Sequence, residues 1–414
     1  MSKDRELRDR AQIVIPGGMY GHQKADWLPP AYPQYFERSE GTRLWDVDGN
    51  CYIDYMCGYG INLFGYGERS IDEAARKQAA LCDGMTGPAP VIVELAEKLV
   101  SMISHADWAM FCKNGTDANS IAMVCARAYA NKKKILIATG TYHGSAPWCT
   151  PIEEGITPED RANNVYFEYN NLESLRAAFK QHEGDVAGVF ATPFRHEILA
   201  DQFDATAEYA REARRLCDEH DALLIIDEVR TGFRLARGSS WDAFDVKPDL
   251  SSWGKVLANG YPISAVVGSE KARTAASKIF VTGSFWFSAV PMAAALQTLK
   301  LIETTDYLEV SLTLGHALRS GIQEQAERYG FDLHQTGPVQ MPQILFANDK
   351  EMKLGFAWTQ AVLRRGVYLH PFHNMFFNAA MTRADIAETL EATEASFKEV
   401  LNDPSRLQPF AEKT

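Results

Sequence analysis

Short apolar runs alternate with longer amphipathic segments through the middle of the chain. Runs such as Ile135–Thr139, Val186–Thr192 and Ala222–Val229 are short and rich in branched residues, which indicates buried strands. Pro90–Ser104 instead carries apolar residues every three or four positions, the pattern of a helix packed on one face. The repeated strand–helix order predicts a mostly parallel, doubly wound α/β sheet.

The pattern assigns most of this region to defined elements. Strands are predicted at Trp108–Lys113, Ile135–Thr139, Val186–Thr192, Ala222–Val229, Asp249–Trp253 and Ile263–Gly268. Helices are predicted at Ser70–Cys82, Pro90–Ser104, Gly115–Asn131, Leu172–Gln181, Phe203–His220 and Pro291–Glu303. In the first of these helices Ser70 is the expected N-cap, with Glu73 at the capping-box position.

The two ends of the chain follow other patterns. Residues 1–15 predict an amphipathic helix, and Tyr35–Tyr55 predicts a β-meander that turns at Asp46–Asn50. Beyond residue 310, helices are predicted at Leu312–Tyr329 and Arg383–Leu401, with strands at Gln343–Phe346 and Val367–Leu369. We therefore expect a large domain over residues 61–310 and a small α+β domain built from residues 1–60 and 311–414.

Composition narrows the classes of function. The chain has 414 residues, 46% of them hydrophobic, and a net charge of −12 without a long basic block, which argues against nucleic acid or an anionic membrane as partner. No stretch approaches the roughly 18 apolar residues that span a bilayer, and the start of the chain lacks the apolar core of a signal peptide. The 7 cysteines form no CxxC pair, which favours reduced thiols in the cytoplasm.

The candidate chemistry centres on Ala222–Pro262. One predicted strand ends at Asp227 and Glu228, and the next runs into Lys255. Ligands of open α/β sheets gather at the carboxyl ends of strands, so the acid and the amine should meet in one crevice. Such a pair suits pyridoxal phosphate, because the lysine holds its aldehyde as a Schiff base and Asp227 keeps its ring nitrogen protonated. Val229 points to the same face as Asp227 and should pack under the ring.

Each of these residues also has an ordinary interpretation. An Asp-Glu pair after a strand can be a metal site or a solvated edge, although no His-rich spacing supports a metal here. A lysine in a loop is usually solvated, but Lys255 lies between small and aromatic residues.

Three further motifs fit the same cofactor. Gly115 and Thr116 start a helix directly after a strand, where free N–H groups form an anion site, or only an ordinary helix start. Tyr142 and His143 follow a strand between glycines and can cover a flat ring, or pack as surface aromatics. The segment Val281–Ser288 combines hydroxyls with aromatics, which fits a phosphate contact and a substrate wall, or a core segment.

Taken together, these motifs resemble the class III aminotransferases of pyridoxal phosphate fold type I, in the branch that contains glutamate-1-semialdehyde aminomutase. The resemblance is carried by Lys113–Ala118, Tyr142–Gly144, Ile226–Arg234 and Pro248–Lys255, in this order and at these spacings. It implies that Lys255 forms the Schiff base and shuttles a proton. Asp227 would pair with the ring nitrogen, with the ring held between Val229 and Tyr142 beside His143.

The resemblance also implies a phosphate site and an assembly. Gly115 and Thr116 would hold the phosphate, and Thr282 or Ser284 would reach the phosphate of a neighbouring subunit. A homodimer with shared active sites is therefore expected.

The chain departs from the aminomutases where the substrate should bind. Their N-terminal loop has an arginine for the substrate carboxylate, whereas here Gly18–Gln23 contains none. Ile15–His22, Thr282–Ala295 and His370–Phe376 instead resemble the fumonisin aminotransferases, which move an amino group from a long-chain amine to pyruvate. The residues expected to contact substrate are Tyr20, His22, Tyr59, Arg230, Phe285, Trp286, His370 and His373. Arg230, Arg195 and the His370/His373 pair are the candidates for the carboxylate of the keto acid.

Two other functions remain open at this point. An aminomutase or epimerase on the same scaffold would keep the amino group on its own carbon skeleton and need no keto acid. A binding module without catalysis would be expected to lack Lys255 or Asp227, and both are present.

Overall fold

The computed structural model describes residues 2–403 and residue 407. The strands are β1 Phe36–Glu40, β2 Arg43–Asp46, β3 Cys51–Asp54, β4 Trp108–Cys112, β5 Lys134–Ala138, β6 Asn164–Phe167, β7 Val186–Ala191, β8 Phe194–Arg195, β9 Phe203–Asp204, β10 Leu223–Asp227, β11 Leu250–Trp253, β12 Ser264–Gly268, β13 Leu333–Thr336, β14 Gln343–Phe346 and β15 Val367–Tyr368.

The α-helices range from single turns to long rods. They are α1 Lys3–Val14, α2 Cys57–Gly60, α3 Arg69–Leu81, α4 Val91–Met102, α5 Gly115–Ala130, α6 Pro158–Arg161, α7 Leu172–Gln181, α8 Ala207–Glu219, α9 Glu270–Ala276, α10 Ala289–Thr304, α11 Tyr307–Tyr329, α12 Lys353–Leu363 and α13 Arg383–Asn402. Short 3₁₀ helices lie at Gly21–Gln23, Ala25–Trp27, Ser240–Phe244 and Lys255–Ala258. Within the described residues, no helix is long and apolar enough to cross a membrane.

The chain divides into two compact units. The first comprises Met1–Glu68, Glu197–Asp201 and Glu309–Thr414, as far as these are described, and the second comprises Arg69–His196 and Gln202–Leu308.

The second unit is built on a 7-stranded sheet of order β4-β12-β11-β10-β7-β5-β6. β12 runs antiparallel to β4 and β11, whereas β11, β10, β7, β5 and β6 run parallel to one another. The predicted α/β class with a mostly parallel sheet is therefore confirmed.

Strand β10 lies at the centre of this sheet and is buried along its whole length. Leu224 and Ile226 pack into one apolar cluster, and Leu223 and Ile225 pack into another that includes residues of α5. Successive side chains of a strand point to opposite faces, so Asp227 shares the α5 face with Ile225. Tertiary packing thus directs the carboxylate of Asp227, the last residue of β10, toward the start of α5.

The first unit is smaller and has its own core. Its sheet has the order β1-β2-β3-β15, with an antiparallel meander β1–β3 and β15 parallel to β3. The hairpin β13–β14 and helices α11, α12 and α13 supply most of the remaining elements. The first unit is therefore an α+β structure.

Several local predictions were wrong. Helix α3 begins at Arg69, so Ser70 lies inside the helix and is not its N-cap. Phe203–Asp204 pairs with Phe194–Arg195 as a strand, and α8 begins only after Thr206, whose side chain accepts from the N–H of Tyr209. The sequence pattern also missed β6, α9, α12 and β13, and it started α11 five residues late, because short elements are stabilised by their neighbours more than by their own periodicity.

Candidate active site

Asp227 is the centre of a buried hydrogen-bond group at the carboxyl end of β10. Its Oδ2 accepts from Asn119 Nδ2 at 2.8 Å and lies 2.8 Å from His143 Nδ1, and its Oδ1 accepts from the backbone N–H of Val229 at 3.0 Å. Only 7% of the residue is exposed. A buried carboxylate with hydrogen-bond donors on both oxygens is held in one orientation.

His143 is fixed from every side. Its Nε2 lies 3.1 Å from the Thr141 hydroxyl, and its ring contacts Phe190 at 5.0 Å and stacks parallel to Trp148 at 6.5 Å. The backbone carbonyl of His143 accepts a second hydrogen bond from Asn119 Nδ2. The imidazole therefore positions Asp227, and it packs in the wall of the site.

Glu228 has a different role from its neighbour. Its carboxylate accepts from the hydroxyls of Thr231, Ser239 and Ser240 and from the backbone N–H of Ser240. Burial raises the pKa of this fully buried carboxyl group. Through these hydrogen bonds Glu228 holds the loop after β10 in place. Of the two carboxylates, only Asp227 takes part in the group with His143.

Lys255 stands next to Asp227 because their strands are paired in parallel. Asp227 is aligned with Ser252 of β11, three positions before Lys255. Lys255 has a backbone φ of 45°, in the left-handed region, which a residue other than glycine adopts at a cost of about 1 kcal/mol or more. Burial, together with the charges of Arg230 and Arg234, lowers the pKa of its amine to about 7, and Asp227 acts in the opposite direction.

The start of α5 forms a close-fitting cradle. A Cβ on Gly115 would lie 2.8 Å from Val229 Cγ1, and a Cβ on Gly144 would lie 2.4 Å from Thr116 Oγ1. The Thr116 hydroxyl accepts from the N–H of Ser145 at 3.1 Å. Asn114 caps the helix through the N–H of Asp117, so the N–H groups of the first turn lie beside this glycine-lined space.

Positive charge surrounds the amine of Lys255. Burial lowers the pKa of Arg230 to about 10, with Asp227 and Tyr142 acting in the opposite direction. Burial, Arg230 and Lys255 together hold the pKa of His196 well below its ordinary value. The structure thus brings Lys255, Asp227, Arg230 and Tyr142 into one electrostatic neighbourhood, with 48% of Tyr142 still exposed.

The segment Val281–Ser288 lies at the surface, just before α10. Thr282 and Ser284 are exposed, and Phe285 is 74% exposed. Trp286 folds back over Gly283 and packs against the α5 side of the core. Among the described residues, no hydrogen bond joins Thr282 or Ser284 to the group around Asp227.

Four of the predicted substrate residues form a chain of ring contacts in the first unit. Tyr59 contacts His22 at 4.5 Å and His373 at 5.5 Å, and His370 contacts His373 at 5.6 Å. The Tyr59 hydroxyl also donates to the carbonyl of His22. Burial lowers the pKa of His370 to about 3, so its imidazole is neutral at neutral pH. Tyr20 is 71% exposed.

Comparison with known proteins places this site in a family. The model of the family "Aminotransferase class-III" matches residues 28–397. The chain belongs to the class-III aminotransferases. The aminotransferase is 57% identical to the aminopentol aminotransferase of Sphingopyxis macrogoltabida, over 99% of its own length and 97% of the relative's. It is 31% identical to a glutamate-1-semialdehyde 2,1-aminomutase of Hyperthermus butylicus, over 95% and 98% of the two chains.

A solved structure agrees with the fold. The pyridoxal phosphate internal aldimine form of the FumI protein of Sphingopyxis sp. MTA144 superimposes with a TM-score of 0.97, at 57% identity, covering 98% of each chain. The predicted resemblance to class III aminotransferases is confirmed, as is the fold class.

The side chains of the aminotransferase fit pyridoxal phosphate. The Oδ1 of Asn119, beside Asp227, is buried and has no hydrogen-bond partner. Buried polar atoms are normally satisfied, so this site has a place for a polar group that the protein does not itself supply. Gly115 keeps open a space that a methyl group would close against Val229. The amine of Lys255, with a pKa of about 7, is neutral often enough to attack an aldehyde.

Sequence reasoning missed three members of this neighbourhood. Asn119 is a buried polar residue one turn into α5, on the same side as Gly115, and that spacing was a usable signal. His196 and Arg234 carry no local signal, because only tertiary packing brings them near Lys255.

Proposed function

We propose that the protein transfers an amino group from a bulky or long-chain primary amine to pyruvate or a similar keto acid, with pyridoxal phosphate as cofactor. The observation that carries the proposal is the Asp227–His143–Asn119 group beside Lys255, in a chain 57% identical to an aminopentol aminotransferase. When bound, the cofactor supplies a reactive aldehyde and a ring that accepts electrons.

Lys255 performs the proton transfers in this proposal. With a pKa of about 7, its Nζ is neutral in a large share of molecules at neutral pH and can take a proton from the carbon that bears the amine. The same atom then returns the proton, so a single group serves as base and acid in each half-reaction.

Asp227 would hold a proton at the ring nitrogen of the bound cofactor and would stabilise positive charge there. Its own position is set by Asn119, His143 and the Val229 N–H, which keeps the carboxylate from rotating away. Gly115 and Thr116 would bind the phosphate at the start of α5, and Val229 and Tyr142 would hold the ring between them.

Arg230 is the best candidate for the carboxylate of the keto acid. With a pKa lowered only to about 10, it stays cationic at neutral pH. His370 is neutral there, since burial lowers its pKa to about 3. A planar guanidinium also matches a carboxylate in a bidentate manner, which an imidazole does not.

We further propose a homodimer in the cytoplasm. The loop that carries Thr282 and Ser284 exposes Phe280, Phe285 and Phe287, at 92%, 74% and 43%, and a second copy would cover these rings. Thr282 or Ser284 would then contact the partner's phosphate. The 7 cysteines are all free thiols, which supports a reducing compartment.

One assay tests the activity. Purified protein with pyridoxal phosphate, a panel of primary amines and pyruvate should form alanine, and omission of pyruvate should stop turnover. The alternative is an aminomutase, favoured by the 31% identity to such enzymes. Turnover of glutamate 1-semialdehyde without a keto acid, and no alanine with any amine, would establish the alternative.

A further inference from the structure

The turn that follows β10 in the second unit contains a strained residue. Phe233 has a backbone φ of 58°, in the left-handed region, and its side chain is fully buried. This conformation costs a residue other than glycine about 1–3 kcal/mol, so it persists only where the surrounding structure imposes it. Strain of this kind clusters at functional sites. Phe233 directly precedes Arg234, a cation that is only 1% exposed.

Tyr307, the first residue of α11, holds the backbone of this turn. Its hydroxyl donates to the carbonyl oxygen of Phe233 at 2.6 Å, although 74 positions separate the two residues. Tyr307 is itself buried, and the guanidinium of Arg237 lies over its ring at 5.1 Å. The tyrosine ring is thus fixed by its neighbours, and its hydroxyl satisfies the carbonyl of the strained residue.

Trp253, the last residue of β11, supports the same turn through its indole ring. That ring lies 4.5 Å from the ring of Phe233, and a Cβ on Gly232 would come within 2.5 Å of it. The absence of a side chain at Gly232 therefore allows the turn to lie directly against the indole. Because Trp253 precedes Lys255 by two positions, the turn packs on the segment that carries the amine.

Buried polar groups fix the indole in turn. Trp253 Nε1 donates to the Ser251 hydroxyl at 2.7 Å, and that hydroxyl lies 2.7 Å from His105 Nε2. Burial lowers the pKa of His105 to about 3, so its imidazole is neutral at neutral pH. Successive side chains of a strand alternate between its faces, and Ser252 is the residue aligned with Asp227. Ser251 and Trp253 therefore support the turn from the face of the sheet opposite to Asp227.

From these contacts we infer that Tyr307 and Trp253 are positioning residues, which fix the turn at Phe233 and so hold the guanidinium of Arg234 near the amine of Lys255. The charge of Arg234 is one of those that lower the pKa of Lys255. Buried charges are weakly screened, so a small displacement of Arg234 changes this effect. The inference rests on the proposed function, in which Lys255 carries the cofactor.

Tyr307→Phe tests the support with a small change, because it removes the hydroxyl and keeps the ring. The measured quantity is the pH midpoint for capture of pyridoxal phosphate by the full-length apoenzyme, followed by near-visible absorbance. A less firmly held Arg234 opposes protonation of Lys255 less, so the midpoint should rise by about 0.3–0.5 pH unit, a fraction of the roughly one unit that a close charge produces.

Tyr129→Phe is the matched control. It also removes a tyrosine hydroxyl, which donates to Asp221 at 2.8 Å, but it lies about 20 Å along α5 from Gly115. The midpoint should stay in place. Ser251→Ala tests the second support, because it leaves the indole N–H of Trp253 without its acceptor and should raise the midpoint as Tyr307→Phe does.

A double variant separates positioning from a general loosening of the site. Arg234→Met removes the charge and should raise the midpoint further than Tyr307→Phe. In the Arg234→Met background, Tyr307→Phe should then add nothing. Entry of water around Lys255 would instead add the same shift whether or not Arg234 is present.

An unmoved midpoint in Tyr307→Phe would overturn the inference, as would a shift that persists undiminished in the double variant. An unmoved midpoint in Ser251→Ala would remove Trp253 from the support. If Arg234→Met does not fold, the comparison of Tyr307→Phe with Tyr129→Phe still decides. A failure of the proposed function shows differently, as near-visible absorbance that survives Lys255→Ala or as no alanine from any amine.

Discussion

His143 Nδ1 lies 2.8 Å from Asp227 Oδ2, although 84 positions separate the two residues in the chain. The contact joins the loop after β5 to the end of β10. Because Asn119 of α5 donates to the same oxygen, three separate elements converge on one carboxylate. Such convergence is expected where a group must be held at a fixed distance from a reacting molecule.

Replacement of His143 by glutamine should lower kcat/KM for the amine about 10- to 100-fold. A hydrogen bond to a charged group contributes roughly 1.5–3 kcal/mol, and its loss lets Asp227 turn away from the ring nitrogen. Steady-state kinetics with saturating cofactor measure the effect. His316→Gln, on an exposed face of α11, is the control and should match the unaltered enzyme. Equal rates for both variants would rule out a positioning role for His143.

The capture of cofactor by the apoenzyme should depend on pH through Lys255. Its pKa is lowered to about 7, so the amine is protonated and unreactive below that pH and neutral above it. The rate of Schiff-base formation, followed by near-visible absorbance in stopped flow, should therefore rise with pH and level off above about pH 7.

Arg230→Met should move the midpoint of that curve to higher pH, because Arg230 is one of the charges that lower the pKa of Lys255. Arg211→Met, an exposed arginine of α8, should leave the midpoint in place. A shift to lower pH with Arg230→Met would contradict the electrostatic account.

Gly115→Ala should weaken cofactor binding about tenfold or more. The added Cβ would lie 2.8 Å from Val229 Cγ1, so either α5 or Val229 must move, and overpacking of this kind costs about 1–3 kcal/mol. Equilibrium dialysis gives the dissociation constant of pyridoxal phosphate. Gly87→Ala is the control, since nothing lies within 4 Å of its Cβ position. The double variant Gly115→Ala/Val229→Ala should recover part of the affinity, and no recovery would mean that Val229 is not the obstacle.

Lys255→Ala should abolish transamination and the near-visible absorbance of the lysine–cofactor linkage. Loss of a group that acts both as covalent anchor and as proton carrier typically costs 10³-fold or more, on the order of what other catalytic nucleophiles show. Lys247→Ala serves as control, because that lysine is exposed and precedes the same strand. Absorbance that persists in Lys255→Ala would place the linkage on another lysine.

Glu228→Gln should lower the free energy of unfolding by about 1–3 kcal/mol. The substitution weakens the four hydrogen bonds through which Glu228 holds the loop Thr231–Ser240. Urea unfolding monitored by circular dichroism measures the change. An exposed carboxylate of α7, altered as Glu173→Gln, should have no effect. Full stability of Glu228→Gln would show that the hydroxyls alone hold the loop.

By itself, the sequence determined the layered order of the second unit. Strands as short as β10 and β11 are recognisable because both of their faces are buried, so every position before the terminal Asp227 of β10, and every position of β11, is apolar or small. Parallel pairing then requires both strands to end at the same edge of the sheet, and Asp227 is aligned with Ser252, three positions before Lys255. The glycine and the hydroxyl at the start of α5 could also be predicted, because they directly follow a strand in the sequence.

Only the tertiary structure decided which side chains complete the group. Nothing in the sequence around His196 or Arg234 indicates their proximity to Lys255, because long-range packing sets it. The chemistry followed from residues at the ends of strands, whose position is set by local pattern. The charge environment that lowers the pKa of Lys255 depends on distances in space, and those exist only once the chain has folded.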